Sequence, residues 1–360
     1  MSHVYAHGVP EALVDIFVPT FEPHPAYLHE ALDCVLAQTE QRFSVLIHDD
    51  ASQADTAAIV APYLRDPRFT FRRSTIHRGI GGNCNACLRF GSAPYVQYLF
   101  QDDLWYPQHL ARALRAMREC PDIPLVSVEH RYACEKGIPT ARGYGVLQRM
   151  KRARLREGRY DGPTFLRDWV HEGLESNLIG EPSFVLIRRE ALERIGGFCE
   201  GMLQLLDVDV WVRILVANDW YFVPEELGMF RVHRGGASYR EYQEGASIFE
   251  HFRCMERLGA ELPEEHPMHK ELTHCFDEHL TAVIKHVVNR WLQGRRVGKG
   301  ARPVLAYLRT HPSVALRGVL RYGCQASGRW IRKGLRRAGF PVRQSAAACG
   351  RVLEEAIPSG

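Results

Sequence analysis

Two pairs of adjacent aspartates offer the clearest chemistry in this chain. Asp49 and Asp50 end the run FSVLIHDD, and Asp102 and Asp103 end YVQYLFQDD. In each, an apolar stretch of strand character stops abruptly at two carboxylates. A carboxylate at Asp49 or Asp50 can accept hydrogen bonds from a nucleobase N–H or a ribose hydroxyl. Asp102 and Asp103 offer hard oxygen ligands that suit Mg2+ or Mn2+, metals that usually share their shell with substrate phosphates. Asp207 lies at the start of the helical stretch LLDVDVWVRI and is a candidate general base for a hydroxyl acceptor. His233, in FRVHRGGAS, is a candidate imidazole ligand for the same metal.

The segments that must position these side chains alternate between strand and helix patterns. Strands are expected at Leu13–Phe21, at FSVLIHDD, at FTFRRS, at the run before Asp102, at PLVSVEH and at Phe184–Ile187. Between them, Leu28, Ala31, Leu32, Val35 and Leu36 fall at helical spacing. ADTAAIVAPYL, GIGGNCNACLRF and Pro107 to about Arg118 also read as helices. This alternation, with continuous apolar strands, predicts a mostly parallel sheet with helices on both faces. Ligands of such sheets bind outside the carboxyl ends of the strands, where both Asp pairs lie.

Further along, Ala141–Gly162 is basic and weakly apolar and reads as a mobile excursion, a lid or acceptor loop. Gly196 and Gly197 stop a short helix, and WYFVPEELGMFRVH reads as two short strands. Asp209 and Arg213 are spaced as a structural i,i+4 pair, and Trp105 and Trp211 as core or pocket wall. Asp103 has a second reading, as a cap on the helix that follows it.

The totals set bounds on this picture. A chain of 360 residues allows two or three domains. The N-terminus has no secretory-signal pattern, and no run of about 18 apolar residues predicts a spanning helix. The 10 cysteines are scattered and read as reduced thiols, including Cys84 and Cys87 in the single C-x-x-C. Net charge is +4, yet Arg290–Arg343 holds fourteen Lys/Arg and no Asp/Glu, so the remainder is net acidic. That basic stretch, within a helical region after about Tyr242, reads as a membrane-surface element on an anionic leaflet or a packing element. No nucleic-acid-binding module is recognised.

In order and spacing these segments resemble the family 2 glycosyltransferases, inverting enzymes of the GT-A fold. DIFVPTF is similar to that family's first strand, HDDAS to its D-D-x-S, and YLFQDDLWYP to its metal strand. PSFVLIRREALERIGGF is similar to the strand before the acceptor site, LLDVDVWVRI to the E-D-x-D-x-W-x-R helix, and FRVHRGGAS to the R-x-H segment. The resemblance covers about Val14 to Ser238. Phe100 stands where relatives often carry Asp, and Leu206 where they carry Glu.

The resemblance implies a GT-A domain over 1–240, with a nucleotide-sugar-binding half to about 115 and an acceptor-binding half over 116–240. A helical, basic C-terminal region would fill 241–360. It implies that Pro19, Thr20, Phe21, Glu22, Asp49, Asp50, Gln101 and Asp102 bind the nucleotide sugar, a UDP- or dTDP-sugar. Asp102, Asp103 and His233 would hold Mn2+ or Mg2+, and Asp207 would be the base. The acceptor would be a glycan or lipid-linked hydroxyl in surface-polysaccharide synthesis, in the cytoplasm or on the inner face of the plasma membrane. Two other readings stay open: a degenerate GT-A domain that binds without turnover, and a nucleotidyltransferase, although the Gly-rich, basic signature of the latter is not found.

Overall fold

In the computed structural model, which describes residues 12–244 and 247–292, the chain forms two compact units that divide between Gln243 and Glu244. The strands of the first unit are Val14–Thr20 (β1), Phe43–Asp49 (β2), Phe69–Arg73 (β3), Tyr95–Tyr98 (β4), Leu104–Trp105 (β5), Leu125–Val128 (β6), Arg131–Cys134 (β7), Gly158–Tyr160 (β8), Val185–Arg188 (β9), Trp220–Val223 (β10) and Gly228–Val232 (β11). Eight of them make one sheet in the order β3-β2-β1-β4-β9-β6-β10-β8. β1 pairs in parallel with β2 and β4, β2 with β3, and β6 with β10. β9 runs antiparallel between β4 and β6, and β8 closes the edge antiparallel to β10. The mixed α/β architecture with a mostly parallel sheet is the GT-A arrangement expected.

Every residue of β1 is buried, as a parallel strand covered on both faces requires. Because successive side chains point to opposite faces, the strands feed two layers. Ile16, Val18, Val45, Ile47, Val126 and Leu186 share a core with Leu28, Leu32 and Val35 of helix Pro25–Leu36 and with Leu110, Leu114 and Met117 of helix His109–Glu119. On the other face Phe17 meets Tyr98 at 5.5 Å, and the Tyr98 hydroxyl donates to the Cys84 carbonyl (3.1 Å) in helix Gly79–Leu88. Each such large apolar side chain contributes about 1.5–3 kcal/mol on burial.

Three expectations are corrected. The excursion at Ala141–Gly162 is regular structure: helix Ala141–Arg154 followed by β8. That helix docks through an aromatic contact, Tyr144 against Tyr132 (4.8 Å) and Phe230 (6.0 Å), and through polar groups. Gln148 Nε2 donates to the His130 carbonyl (3.2 Å), and Lys151, 0 % exposed, brings Nζ to 3.7 Å from Glu129 Oε1. ADTAAIVAPYL is not one helix but helix Thr56–Val60 and a 3-10 turn at Tyr63–Arg65, separated at Pro62, which has no N–H to continue the ladder. The helix after Asp103 starts at His109 with Gln108 at its N-cap, so Asp103 does not cap it.

A second sheet, β5-β11-β7, pairs β11 antiparallel to β5 and parallel to β7. The second unit holds helices Ser247–Glu261 and Pro267–Leu292, whose Phe252 and Phe276 rings meet edge to face at 5.4 Å. The basic stretch lies outside the described residues beyond Leu292. Among the described residues, no helix is long and apolar enough to cross a membrane.

Candidate active site

β1, β2 and β4 are parallel, so their carboxyl ends open the same edge of the sheet. Pro19 and Thr20 are buried in the last turn of β1, where Thr20 Oγ1 donates to the His48 carbonyl (3.3 Å). Phe21 is strapped to Gln101 by a reciprocal amide pair: Phe21 N donates to Gln101 Oε1 (2.9 Å), and Gln101 Nε2 donates to Phe21 O (3.1 Å). The Phe21 ring lies 4.1 Å from that of His77. Glu22, at φ +45°, donates its N–H to Ser52 Oγ (2.8 Å) while its carboxylate accepts from Gln53 N (2.6 Å) and Ala54 N (3.3 Å).

The first aspartate pair is turned inward. Asp49 accepts from Ser52 N (3.2 Å) and Thr56 Oγ1 (3.0 Å) and faces Arg73 Nε at 3.2 Å. Asp50 accepts from Arg78 N (3.0 Å) and Gly79 N (2.9 Å), with His77 Nδ1 at 2.9 Å, so it holds the first turn of helix Gly79–Leu88. Both carboxylates thereby shape the loops around a cavity of about 510 Å3 lined by Ala51, Ser52, Gln53, Arg73, Ser74 and Thr75.

The second pair is divided by its position at β5. Met229 is opposite Leu104, so two residues further on Arg231 comes opposite Asp102, and its Nε donates to the Asp102 carbonyl (3.0 Å). His233 follows β11 and brings Nε2 to 2.9 Å from Asp102 Oδ2, with both side chains partly exposed. Asp103 is 0 % exposed, accepting from Ser183 Oγ (2.6 Å) and Arg231 N (3.1 Å). Burial, with the Asp102 charge beside it, holds the Asp103 carboxyl well above the usual carboxylate range. The structure therefore brings Asp102 and His233 together, partly exposed, and buries Asp103.

Asp102 Oδ2 and His233 Nε2, hydrogen-bonded to each other at 2.9 Å, are an oxygen and a nitrogen donor of the kinds Mn2+ accepts, but they offer only two ligands. Among the described residues no group of three or more His, Cys, Asp or Glu could hold a metal ion. A diphosphate would have to supply the rest of the shell.

Asp207 lies in the first turn of helix Leu206–Leu215, every residue of which is buried. Its Oδ2 accepts from Asn177 Nδ2 (2.9 Å), and its Oδ1 from Val208 N (2.8 Å). One turn on, Trp211 Nε1 donates to the Gly180 carbonyl (2.9 Å), so this ring is wall rather than sugar platform. Asp209 and Arg213 form the expected buried pair at 2.5 Å. Trp105 is likewise buried, stacked 4.7 Å from His109.

Several residues of this site had no signal in the sequence. Ser183 joins the halves: its Oγ accepts from Phe100 N (3.0 Å) as well as donating to Asp103, and its carbonyl accepts from Gln97 Nε2 (3.2 Å) and Trp105 Nε1 (2.6 Å). His130 Nε2 lies 2.8 Å from Glu181 Oε2. Burial pushes the Glu181 carboxyl up, but His130 and Lys151 outweigh it and leave it below its ordinary value. Cys84 and Cys87 are fully buried, and burial raises both thiols, so neither behaves as a reactive pair.

The mixed α/β sheet has the GT-A fold. The chain belongs to glycosyl transferase family 2, which it matches over residues 15–196. It is 30 % identical over 230 residues to the uncharacterized protein MT1568 of Mycobacterium tuberculosis, covering 64 % of this chain and 70 % of that one. It is 33 % identical over 112 residues to the succinoglycan biosynthesis protein ExoW of Rhizobium meliloti, covering 29 % and 34 %. S. aureus TarS 1-349, solved with UDP-GlcNAc, shares the fold at 16 % identity and TM-score 0.57, covering 74 % of this chain and 71 % of that one. The mannosyltransferase PcManGT from Pyrobaculum calidifontis, solved with GDP-Man and Mn2+, does so at 20 % identity and TM-score 0.54, covering 88 % and 85 %.

Proposed function

We propose that this glycosyltransferase is an inverting enzyme that moves a sugar from a nucleoside-diphosphate sugar to a hydroxyl of a glycan or lipid-linked acceptor in surface-polysaccharide assembly. The observation that carries the reading is the Asp102–His233 pair, 2.9 Å apart at the end of β4, on the strand edge where Gln101 straps Phe21. The nucleotide-bound structures of similar fold support the donor class, and the likeness to ExoW supports the pathway. Mn2+ or Mg2+, held by Asp102 and His233 and backed by Asp103, would supply positive charge to the departing diphosphate.

In the transfer, the acceptor oxygen attacks the anomeric carbon from the face opposite the diphosphate. The new C–O bond forms as the bond to phosphate breaks, and the nucleoside diphosphate leaves with the electron pair. The acceptor proton passes to the Asp207 carboxylate, which buried surroundings keep from competing water. Pro19 to Glu22 and the loops that Asp49 and Asp50 hold would receive the nucleoside, and 116–240 would form the acceptor half.

The test pairs thermal shifts with a transfer assay. UDP, GDP and CDP are added with and without Mn2+, and a panel of nucleotide sugars is screened for transfer. A metal-dependent shift that disappears in Asp102→Ala is expected, together with a kcat lowered about 10²–10⁴-fold in Asp207→Asn. Full transfer by both folded variants would overturn the mechanism.

A further inference from the structure

The loop Gly173–Gly180 holds an unusual density of left-handed backbone. Gly173 (φ +79°), Leu174 (+58°), Ser176 (+56°) and Gly180 (+114°) all lie there. A side-chain-bearing residue in that region costs about 1–2 kcal/mol, so Leu174 and Ser176 must be held by their surroundings. One hold is Trp169, whose Nε1 donates to the Glu175 carbonyl (2.7 Å). The other is the side chain of Asn177. Its Oδ1 accepts from Gly180 N (2.9 Å), and its Nδ2 donates both to the Gly180 carbonyl (3.1 Å) and to Asp207 Oδ2 (2.9 Å).

The same amide therefore locks the loop and grips the carboxylate. Its grip is reinforced from the helix side, because the Gly180 carbonyl also takes the Trp211 N–H, four residues after Asp207. Gly180 itself sits at φ +114°, a conformation in which a side-chain-bearing residue would be strained.

We propose that Asn177 is the positioning residue of the catalytic base, fixing the plane of the Asp207 carboxylate toward the acceptor hydroxyl. The inference rests on the reading of Asp207 as that base. With Asn177 Nδ2 on one oxygen and Val208 N on the other, the plane of the carboxylate is held from both sides.

Asn177→Asp and Asn177→Ala test this in the full chain, alongside Asp207→Asn. The aspartate variant is isosteric and keeps an acceptor for Gly180 N, so it remains informative if the alanine variant fails to fold. Nucleotide-induced thermal shifts with Mn2+ report donor binding, and kcat is followed against pH with the best donor of the panel. Donor KM is expected to stay within about twofold while kcat falls about 10–100-fold, the cost of a misplaced catalytic group. Losing the N–H disfavours the carboxylate, so the acidic limb of the profile moves up by about one pH unit in Asn177→Ala. It moves further in Asn177→Asp, where two carboxylates face one another. An unmoved limb in both folded variants, or a donor KM that rises in step with the loss, would overturn the positioning role. If Asp207→Asn is inactive while both Asn177 variants match the wild-type profile, this inference alone falls. Transfer retained by Asp207→Asn removes the base reading and the inference with it.

Discussion

Replacing Arg213 with methionine removes the clamp beneath the helix that carries Asp207. The guanidinium is almost fully buried, at 1 % side-chain exposure against 0 % for its partner Asp209. It donates to Asp209 Oδ2 from Nε (3.0 Å) and Nη2 (2.5 Å), to Ile195 O from Nη1 (2.5 Å), and to Gly197 O from Nη2 (2.7 Å). Removing one partner of a buried pair costs about 3–5 kcal/mol, because it leaves a charge in the interior. The buried Gly197 carbonyl, without its donor, adds about 1 kcal/mol or more. Arg213→Met should therefore lose about 4–6 kcal/mol, a large share of the 5–15 kcal/mol typical of a domain. Urea titration followed by circular dichroism measures the loss. The double variant Asp209→Leu with Arg213→Met buries no orphan charge and should recover about 2 kcal/mol or more. A single variant losing less than about 1 kcal/mol would refute this reasoning. So would a double variant no more stable than the single.

Three further outcomes are expected. Burial pushes His109 down to about 3, so it is neutral when folded, whereas the unfolded chain takes a proton below about 6.5. Its contribution is full above pH 6.5 and is lost as pH falls toward 3, by up to about 1.4 kcal/mol per unit. Urea titrations at pH 7 and pH 5.5 should show a smaller loss in His109→Gln than in wild type, and equal losses would count against it. Gln101→Ala frees the Phe21 backbone and should raise donor KM about tenfold with kcat little changed, measured by donor titration, since binding must then order that loop. Truncation after Asn289 removes the basic stretch and should release the protein from anionic vesicles in a sedimentation assay, and a truncated chain that still pellets with them contradicts the membrane reading.

Much of the first unit was legible because its strands are buried on both faces and spell themselves as apolar runs. β1, β2, β4 and β6 lie within expected segments, β9 is displaced by one residue from the expected Phe184–Ile187, and helix Leu206–Leu215 is where a helix was expected. The direction of β9 was not legible, since an apolar run between two turns reads the same for parallel and antiparallel pairing. Helix Ala141–Arg154 was missed for a related reason. It carries Gly143, Gly145 and many basic residues, and besides the single ring of Tyr144 its anchors are Lys151 and Gln148, which no hydrophobic period reveals. At the site, the sequence places two carboxylates at each strand end but cannot say which one faces the cleft. Chain direction beyond the strand settles it, leaving Asp102 beside His233 and turning Asp103 onto Ser183. Asn177, Glu181 and Ser183 act through side chains distant in sequence from those they hold, so spacing alone does not single them out.

The reversed course of β9 has a consequence for how this scaffold can be altered. In a parallel strand, the residues that follow it reach the open edge of the sheet. Because β9 runs the other way, it is the residues before it that arrive there, with Glu181 and Ser183 immediately upstream of Val185. Length changes just before β9 would thus be felt at the reacting groups, whereas the Arg189–Arg194 helix after it turns away on the opposite edge. Changes in 172–181, with Asn177 and Gly180 left untouched, would be felt beside Asp207, and fusion tags or crosslinks belong at the far end of the strand.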